Sequence, residues 1–330
     1  MKIVVTGGAG FIGSNLIDEL VKLKYNVIAI DNLSTGLIKN LNHNLKKINF
    51  FKIDISKKEN ISKLNKVFKN VDCVYHLAGL ADIIPSIENP YRYYETNVTG
   101  TLNILQASKL NKIKKFIYAA SASCYGKSPT LPTDEKCKVH TEYPYALTKN
   151  LGEKLVLHWE KIYKLDSSSF RFFNVYGPRS RTTGAYGAVF GIFLSQKINR
   201  KPLTIVGDGK QTRDFIHVSD LVNALVLALK RSKSGEIYNI GSGKETSVNQ
   251  IAKLIGGKKI FIPKRPGEPQ RSLANINKAK KHLGWRPKVN ISEGVSMLIE
   301  IINQWKNAPV WTPKKIKKAT RIWFRYLKKN

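Results

Sequence analysis

A glycine-rich turn near the start of the chain, Gly7-Gly8-Ala9-Gly10-Phe11-Ile12-Gly13, narrows what the rest can become. An apolar strand pattern at residues 2–6 precedes it, and a helical pattern carrying Leu16, Leu20, Val21 and Leu23 follows. Glycines at 7, 10 and 13 permit a tight turn, close approach of a pyrophosphate to backbone N–H groups, and close packing of helix on strand. A second apolar run at residues 27–30 ends in Asp31, about 20 residues beyond the glycines. A carboxylate there accepts from the hydroxyls of an adenosine ribose and repels a 2′-phosphate. The residues therefore point to a dinucleotide site that prefers NAD to NADP.

The same alternation continues. Residues 49–53 read as a third strand ending at Asp54, whose side chain is placed to accept from an adenine amino group. Residues 61–68 read as a helix, and the strand at 72–77 runs into Ala78-Gly79, small enough for backbone to pass close to a cofactor. Residues 90–110 read as one long helix containing Asn97, and the strand at 115–120 delivers Ser121. Strands and helices alternating in this way specify an α/β fold with a doubly wound parallel sheet, whose ligands gather beyond the carboxyl ends of the strands. Gly13, Asp31, Asp54, Gly79 and Ser121 all fall at such ends.

The reactive centre is expected where Ser121-Ala122-Ser123-Cys124-Tyr125-Gly126 is followed by Tyr145-Ala146-Leu147-Thr148-Lys149. On a helix, Tyr145 and Lys149 lie one turn apart on one face. The ammonium is expected to draw the phenol down from about 10, fitting Tyr145 to take a proton from a substrate hydroxyl. Ser121 and Ser123 are placed to hold the same oxygen. By itself this spacing also fits an exposed helical pair.

At 330 residues the chain exceeds the usual ceiling for one core, so a large and a smaller domain are expected. No secretory pattern follows Met1 and no apolar run has the length of a membrane span, which predicts a cytosolic protein. Cys73, Cys124 and Cys137 lack paired metal spacing; neither a disulfide framework nor a metal site is expected. The formal charge of +33 invites a nucleic-acid reading, yet the lysines are scattered rather than gathered in one tract. General, salt-dependent attraction to polyanions is expected, without specific nucleic-acid binding. From Trp311 on, Thr312 as N-cap, Pro313, Ile316, Ala319, Trp323 and Leu327 mark a basic amphipathic helix. Such a helix can lie on an anionic membrane, but more often packs on its own domain, which is the reading favoured.

The motifs TGGAGFIGS (residues 6–14), DNLSTG (31–36), HLAG (76–79), NVTGT (97–101), SASCYG, YALTK and RFFNVYGP (171–178) together resemble the extended short-chain dehydrogenase/reductase family, specifically its nucleotide-sugar epimerases. GDGKQTRDFIHVSDL (207–221), YNIGSG (238–243) and RPGEP (265–269) carry the similarity across almost the whole chain. The resemblance implies a Rossmann-type sheet with a smaller, discontinuous C-terminal substrate domain. Residues 1–170 would form the NAD-binding domain, with about 207–240 returning to it. Residues 171–310 would mainly bind substrate, and 311–330 would form the basic tail helix.

The implied cofactor positions are Gly7, Gly10, Phe11, Ile12 and Gly13 in the turn, then Asp31, Asn32, Ser34 and Gly36 after the second strand. They continue with Asp54 and Ile55, then Leu77, Ala78 and Gly79, then Asn97, Tyr145, Lys149 and Phe172. Tyr145 and Lys149 match the catalytic pair, and Ser121 and Ser123 the hydroxyls that hold the sugar oxygen. Phe172 and Phe173 match positions lining nicotinamide and substrate, although strand packing explains two phenylalanines as well. Asn174 and Arg213 match contacts to the nucleotide diphosphate, and Arg265 with Glu268 the pair that grips phosphate and ribose. A guanidinium fork suits a diphosphate better than a point charge does. Val189 and Ser272 complete the implied substrate positions.

Related dehydratases carry an Asp-Glu pair beside the serines and uronate decarboxylases a Glu, whereas this chain has Ser123-Cys124. The resemblance therefore implies a UDP-sugar 4-epimerase working by hydride transfer to and from NAD. A dehydratase, or a uronate epimerase or decarboxylase, is the alternative, and a dinucleotide-sensing or polyanion-binding protein the non-enzymatic one. Ser272 falls where relatives restricted to unsubstituted hexoses carry a bulky Tyr, so an N-acetylhexosamine is expected to fit. The segment 182–187 is expected to close over uracil and sugar, ahead of an apolar helix at 189–198. Asp82, where many relatives have a basic residue nearby, and Asn275, in place of a usual Asp, depart from the pattern and leave the sugar open. A homodimer packed through the helices beginning near Pro90 and Tyr145 is also implied.

Overall fold

The computed structural model describes residues 1–182 and 188–327. All but Thr182 of the predicted closing loop lies outside them. Strands β1 (Lys2–Thr6), β2 (Asn26–Asp31), β3 (Ile48–Lys52), β4 (Cys73–His76), β5 (Lys115–Ser121) and β6 (Ser167–Phe172) come in turn. Beyond them lie β7 (Asn174–Tyr176), β8 (Leu203–Val206), β9 (Thr212–His217), β10 (Ile237–Ile240), β11 (Glu245–Ser247) and β12 (Lys259–Ile262). The central sheet has the order β3-β2-β1-β4-β5-β6-β10 and is parallel throughout. Strand order reverses between β1 and β4, which opens a crevice at their carboxyl ends. Two small sheets, β11-β9-β7 and β12-β8, are built from strands that follow β6 in the chain.

Between these strands run α1 (Phe11–Lys22), α2 (Ile61–Val67), α3 (Ile83–Glu88), α4 (Pro90–Tyr94), α5 (Gly100–Leu110), α6 (Pro144–Tyr163), α7 (Val189–Ile198) and α8 (Val218–Arg231). The chain ends in α9 (Val248–Ile255), α10 (Asn277–Leu283), α11 (Ile291–Glu300), α12 (Pro313–Ala319) and α13 (Arg321–Leu327). Alternate residues of a strand face opposite sides. Accordingly Val5 packs with Leu16, Leu20 and Leu225 on one side of the sheet, and Val4 with Phe68, Ile104 and Val156 on the other. Each such aliphatic side chain contributes about 1.5–3 kcal/mol on burial. A third core, holding Phe193, Ile205, Ile251, Leu298 and Trp305, lies under the small sheets.

Two helical readings need correction. The helix expected at 90–110 is interrupted by a π-helical turn, Glu95–Thr99. This wider turn holds Asn97 inward, where its amide bonds both Leu80 N and Leu80 O, at 2.7 and 3.0 Å, and Thr148 Oγ1 at 3.0 Å. The tail forms two helices rather than one. Thr312 caps α12 through Lys315 N as expected, but Thr320 turns its hydroxyl back onto Ile316 O at 2.8 Å and the helix breaks there. Ile316 and Trp323 are both buried in the third core, so the apolar stripe is spent on the protein itself. No helix among the described residues is long and apolar enough to cross a membrane.

Candidate active site

The glycine turn leaves β1 and enters α1 with no side chain between the two backbones. Gly7 has φ +69°, and a Cβ there would stand 2.8 Å from Ala78 N. One on Gly13 would meet Gly7 O at 2.1 Å. Gly10 caps α1 without a side-chain bond, and the first turn carries no acidic residue, so its N–H groups and dipole favour an anion. At the end of β2, Asp31 accepts from Ala9 N at 3.0 Å and Leu33 N at 2.8 Å. Burial pushes this carboxyl up and the backbone donors oppose it.

A cavity of about 300 Å³ opens over this turn. The structure brings to it Gly7, Gly10, Phe11, Ile12, Gly13, Asp31, Asn32, Ser34, Ile55, Leu77, Ala78, Gly79, Tyr145, Lys149 and Phe172. Three of the predicted cofactor residues do not line it. Gly36 packs against the Asp31 carboxylate. Asp54, expected to meet adenine, accepts instead from Asn32 Nδ2, Ser56 N and Ser56 Oγ, at 3.1, 2.9 and 2.7 Å. Asn97 is consumed by Leu80 and Thr148; it fixes the loop after β4 and the start of α6.

Ser121 ends β5, and its Oγ accepts from Ser123 N at 3.2 Å and from Ser123 Oγ at 2.8 Å. Tyr145 lies in the first turn of α6, after Pro144, with Tyr143 stacked beside it and Tyr93 edge-on, both with centroids at 6.4 Å. Among the protein groups around the Tyr145 phenol, burial is the largest influence and raises its pKa, while bonds with Ser121 and Ser123 lower it. The expected lowering of the phenol by Lys149 is therefore corrected: loss of water is the largest influence on it, and Lys149 is not among the leading ones. The same burial depresses Lys149 itself, from 10.5 to about 8, with Glu153 opposing. Its Nζ sits 4.7 Å over the Tyr118 ring. Cys124, two residues before Gly126, is buried and its thiol is pushed up to about 12, which leaves it unreactive.

On the far side of Tyr145 a second cavity, of about 400 Å³, runs towards the small sheets. Ser121, Ser123, Phe172, Phe173, Asn174, Val189, Arg213, Arg265, Glu268 and Ser272 all line it. Glu268 bridges two guanidinium groups, Arg213 Nη2 at 2.9 Å and Arg265 Nε at 3.0 Å, and so fixes both forks at one end. Asn174 Nδ2 donates to Asp214 O at 3.3 Å. Asp82, Tyr145 and Phe172 belong to both cavities. A molecule in one therefore meets a molecule in the other beside the Tyr145 phenol.

The NAD dependent epimerase/dehydratase family model matches residues 3–241. The chain belongs to that family. A UDP-glucose 4-epimerase of Mycolicibacterium smegmatis is 35% identical, over 91% of this chain and 98% of its own length. Among solved structures, a UDP-glucuronic acid 4-epimerase of Bacillus cereus in complex with UDP-glucuronic acid and NAD is 33% identical, with TM-score 0.85 over 92% of this chain and 99% of its own. A UDP-N-acetylglucosamine 4-epimerase of Methanobrevibacter ruminantium in complex with UDP-N-acetylmuramic acid is also 33% identical, with TM-score 0.84 over 91% and 98%. The family's cofactor fits the residues present: a bare-backbone turn and uncapped helix for a pyrophosphate, and Asp31 at the end of β2. NAD is the cofactor of this enzyme.

Sequence reasoning passed over Tyr143 and Arg181, which line these cavities, and noted Trp323 only as part of an apolar stripe. Tyr143 stands two residues before Tyr145 and could have been found as its neighbour. Nothing local marks Arg181 or Trp323.

Proposed function

We propose that this enzyme interconverts gluco and galacto forms of a UDP-sugar at C4, accepting UDP-N-acetylglucosamine and UDP-N-acetylgalactosamine as well as UDP-glucose and UDP-galactose. The observation that carries the reading is the position of Tyr145 in the wall between the two cavities, with two serine hydroxyls beside it and no carboxylate in the turn Ala122–Tyr125. The chemistry that NAD supplies when bound is reversible hydride exchange. Ser121 and Ser123 hold the sugar oxygen. The positive charges of Lys149 and of a bound oxidised nicotinamide would offset the burial that raises the Tyr145 phenol. As the phenolate, Tyr145 Oη takes the proton as C4 becomes a ketone, then returns it as C4 is reduced. Arg213 and Arg265, braced by Glu268, hold the diphosphate while the hexose is held less firmly. The sugar is thereby free to turn about its diphosphate linkage and present the other face, which inversion requires. Ser272 occupies little of the cavity, which leaves room for an acetamide.

The pair of exposed apolar faces on α4 and α6 supports a homodimer. Tyr91 and Tyr94 are 72% and 50% exposed, and Leu147 is 45% exposed.

A second reading, elimination of water from the sugar, is favoured by Asp82. Its carboxyl borders both cavities, is pushed up by burial, and pairs with Arg181 Nη1 at 2.8 Å. An acid or base for carbon chemistry thus lies near Tyr145, although not in the serine turn.

A proton NMR time course of the purified protein with UDP-N-acetylglucosamine, no cofactor added, tests these readings. The galacto epimer is expected, and Tyr145→Phe should slow its formation by about 10²–10⁴-fold while NAD stays bound. Conversion of UDP-glucose alone would keep the epimerase and remove the Ser272 argument. A keto or unsaturated sugar would establish the second reading in its place.

A further inference from the structure

The tail contributes to the site. Trp323 of α13 is 4% exposed and lines the second cavity. Its position is held from three sides. Nε1 donates to Pro266 O at 2.7 Å, the Arg265 guanidinium lies 5.3 Å over the indole, and the Tyr143 ring stands 6.5 Å away at 44°. The Tyr143 phenol in turn bonds with Ser123. Trp323 therefore sits between an arginine at the diphosphate end and the serine turn at the reacting end. The residues α13 packs against, in α3, follow directly on Asp82.

An indole placed there has two uses. Its face can take the apolar C–H face of a pyranose ring, and its π-system holds the planar cation of Arg265 towards the phosphate position. A buried aromatic that also satisfies its own N–H is a rigid contact, losing little freedom when a ligand arrives.

We propose that Trp323 is a substrate-contacting residue: the paired C-terminal helices form one wall of the UDP-sugar site, and the indole face receives the sugar next to the diphosphate. This rests on the reading of the second cavity as a UDP-sugar site.

Calorimetric titration of the NAD-bound enzyme with UDP-N-acetylglucosamine, and separately with UDP, tests it by binding rather than by turnover. Trp323→Ala should weaken the UDP-sugar about tenfold or more and UDP about threefold or less, with bound NAD unchanged. Trp323→Phe, which keeps a ring, should stay within about threefold of wild type. Unchanged affinity for the UDP-sugar in Trp323→Ala overturns the proposal, as does an equal loss for UDP, which would place the indole on the nucleotide. If the alanine variant loses NAD or unfolds, Trp323→Leu, which fills the volume without a π face, decides by the same two titrations. Tight, Trp323-dependent binding without epimer formation leaves the proposal standing and overturns only the reaction. Wild-type protein that binds neither ligand overturns both.

Discussion

Lys149 is an ammonium held where water hardly reaches, over the face of Tyr118 and beside the glycine loop after β4. Its fall from 10.5 to about 8 corresponds to about 3 kcal/mol of stability given up to keep a charge at the site. Folded protein releases this proton near pH 8 and the unfolded chain only near 10.5, so between those values the unfolded state binds more protons and stability rises with pH. Lys149→Met should therefore be more stable than wild type at pH 7, by about 3 kcal/mol in urea unfolding, and nearly inactive. At pH 9.5 the advantage should shrink to about 1 kcal/mol. An advantage that did not change with pH would show that packing, not charge, sets it.

At the scale of the element, α6 organises the site. Successive turns of its inner face carry Tyr145, Lys149 and Glu153, and Glu153 anchors the helix to the sheet. Its carboxylate accepts from Arg171 Nη2 at 2.5 Å, Arg171 Nε at 3.1 Å and Ser169 Oγ at 2.8 Å, all buried. Glu153→Ala strands the Arg171 charge, and a loss of about 3–5 kcal/mol is expected in denaturant unfolding. Adding Arg171→Met to it should recover most of that loss. The inner face of α6 was legible from the sequence because its period of four is local. The π turn at Glu95–Thr99 and the break at Thr320 were not, because each depends on side chains bonding backbone rather than on hydrophobic spacing. For the same reason Asp54 and Asn97 carried motif positions without revealing that their polar atoms were already engaged. Trp323 was visible as an apolar residue, yet only the tertiary fold sets it against Arg265 and Tyr143.

For the whole molecule, charge and association pull in opposite directions. Two chains at +33 each repel, and in the proposed homodimer the apolar faces of α4 and α6 would have to overcome this. Because that repulsion is screened by salt and apolar contact is not, the proposed dimer should tighten as ionic strength rises. Sedimentation velocity should show dimer at 0.5 M salt and a larger monomer fraction at low salt, with Leu147→Asp monomeric in both. A dimer indifferent to Leu147→Asp would move the interface elsewhere. The doubly wound order was readable because glycine turns and acidic strand ends punctuate it. The two small sheets were not, since β7, β8, β11 and β12 are short and draw their partners from distant segments.

The last strand of the central sheet also sets a timetable for synthesis. β6 leaves the ribosome well before β10, its outer neighbour, and the chain between Phe172 and Ile237 that builds β7 to β9 comes first. During that interval β6 is an open edge, able to template pairing with another nascent chain. Its sequence, Ser-Ser-Ser-Phe-Arg-Phe, is a poor adhesive for such an encounter. The serines later find Val156 O, Ser232 Oγ and Glu153 Oε2. Polar residues buried in the finished sheet thus double as its protection while it is incomplete.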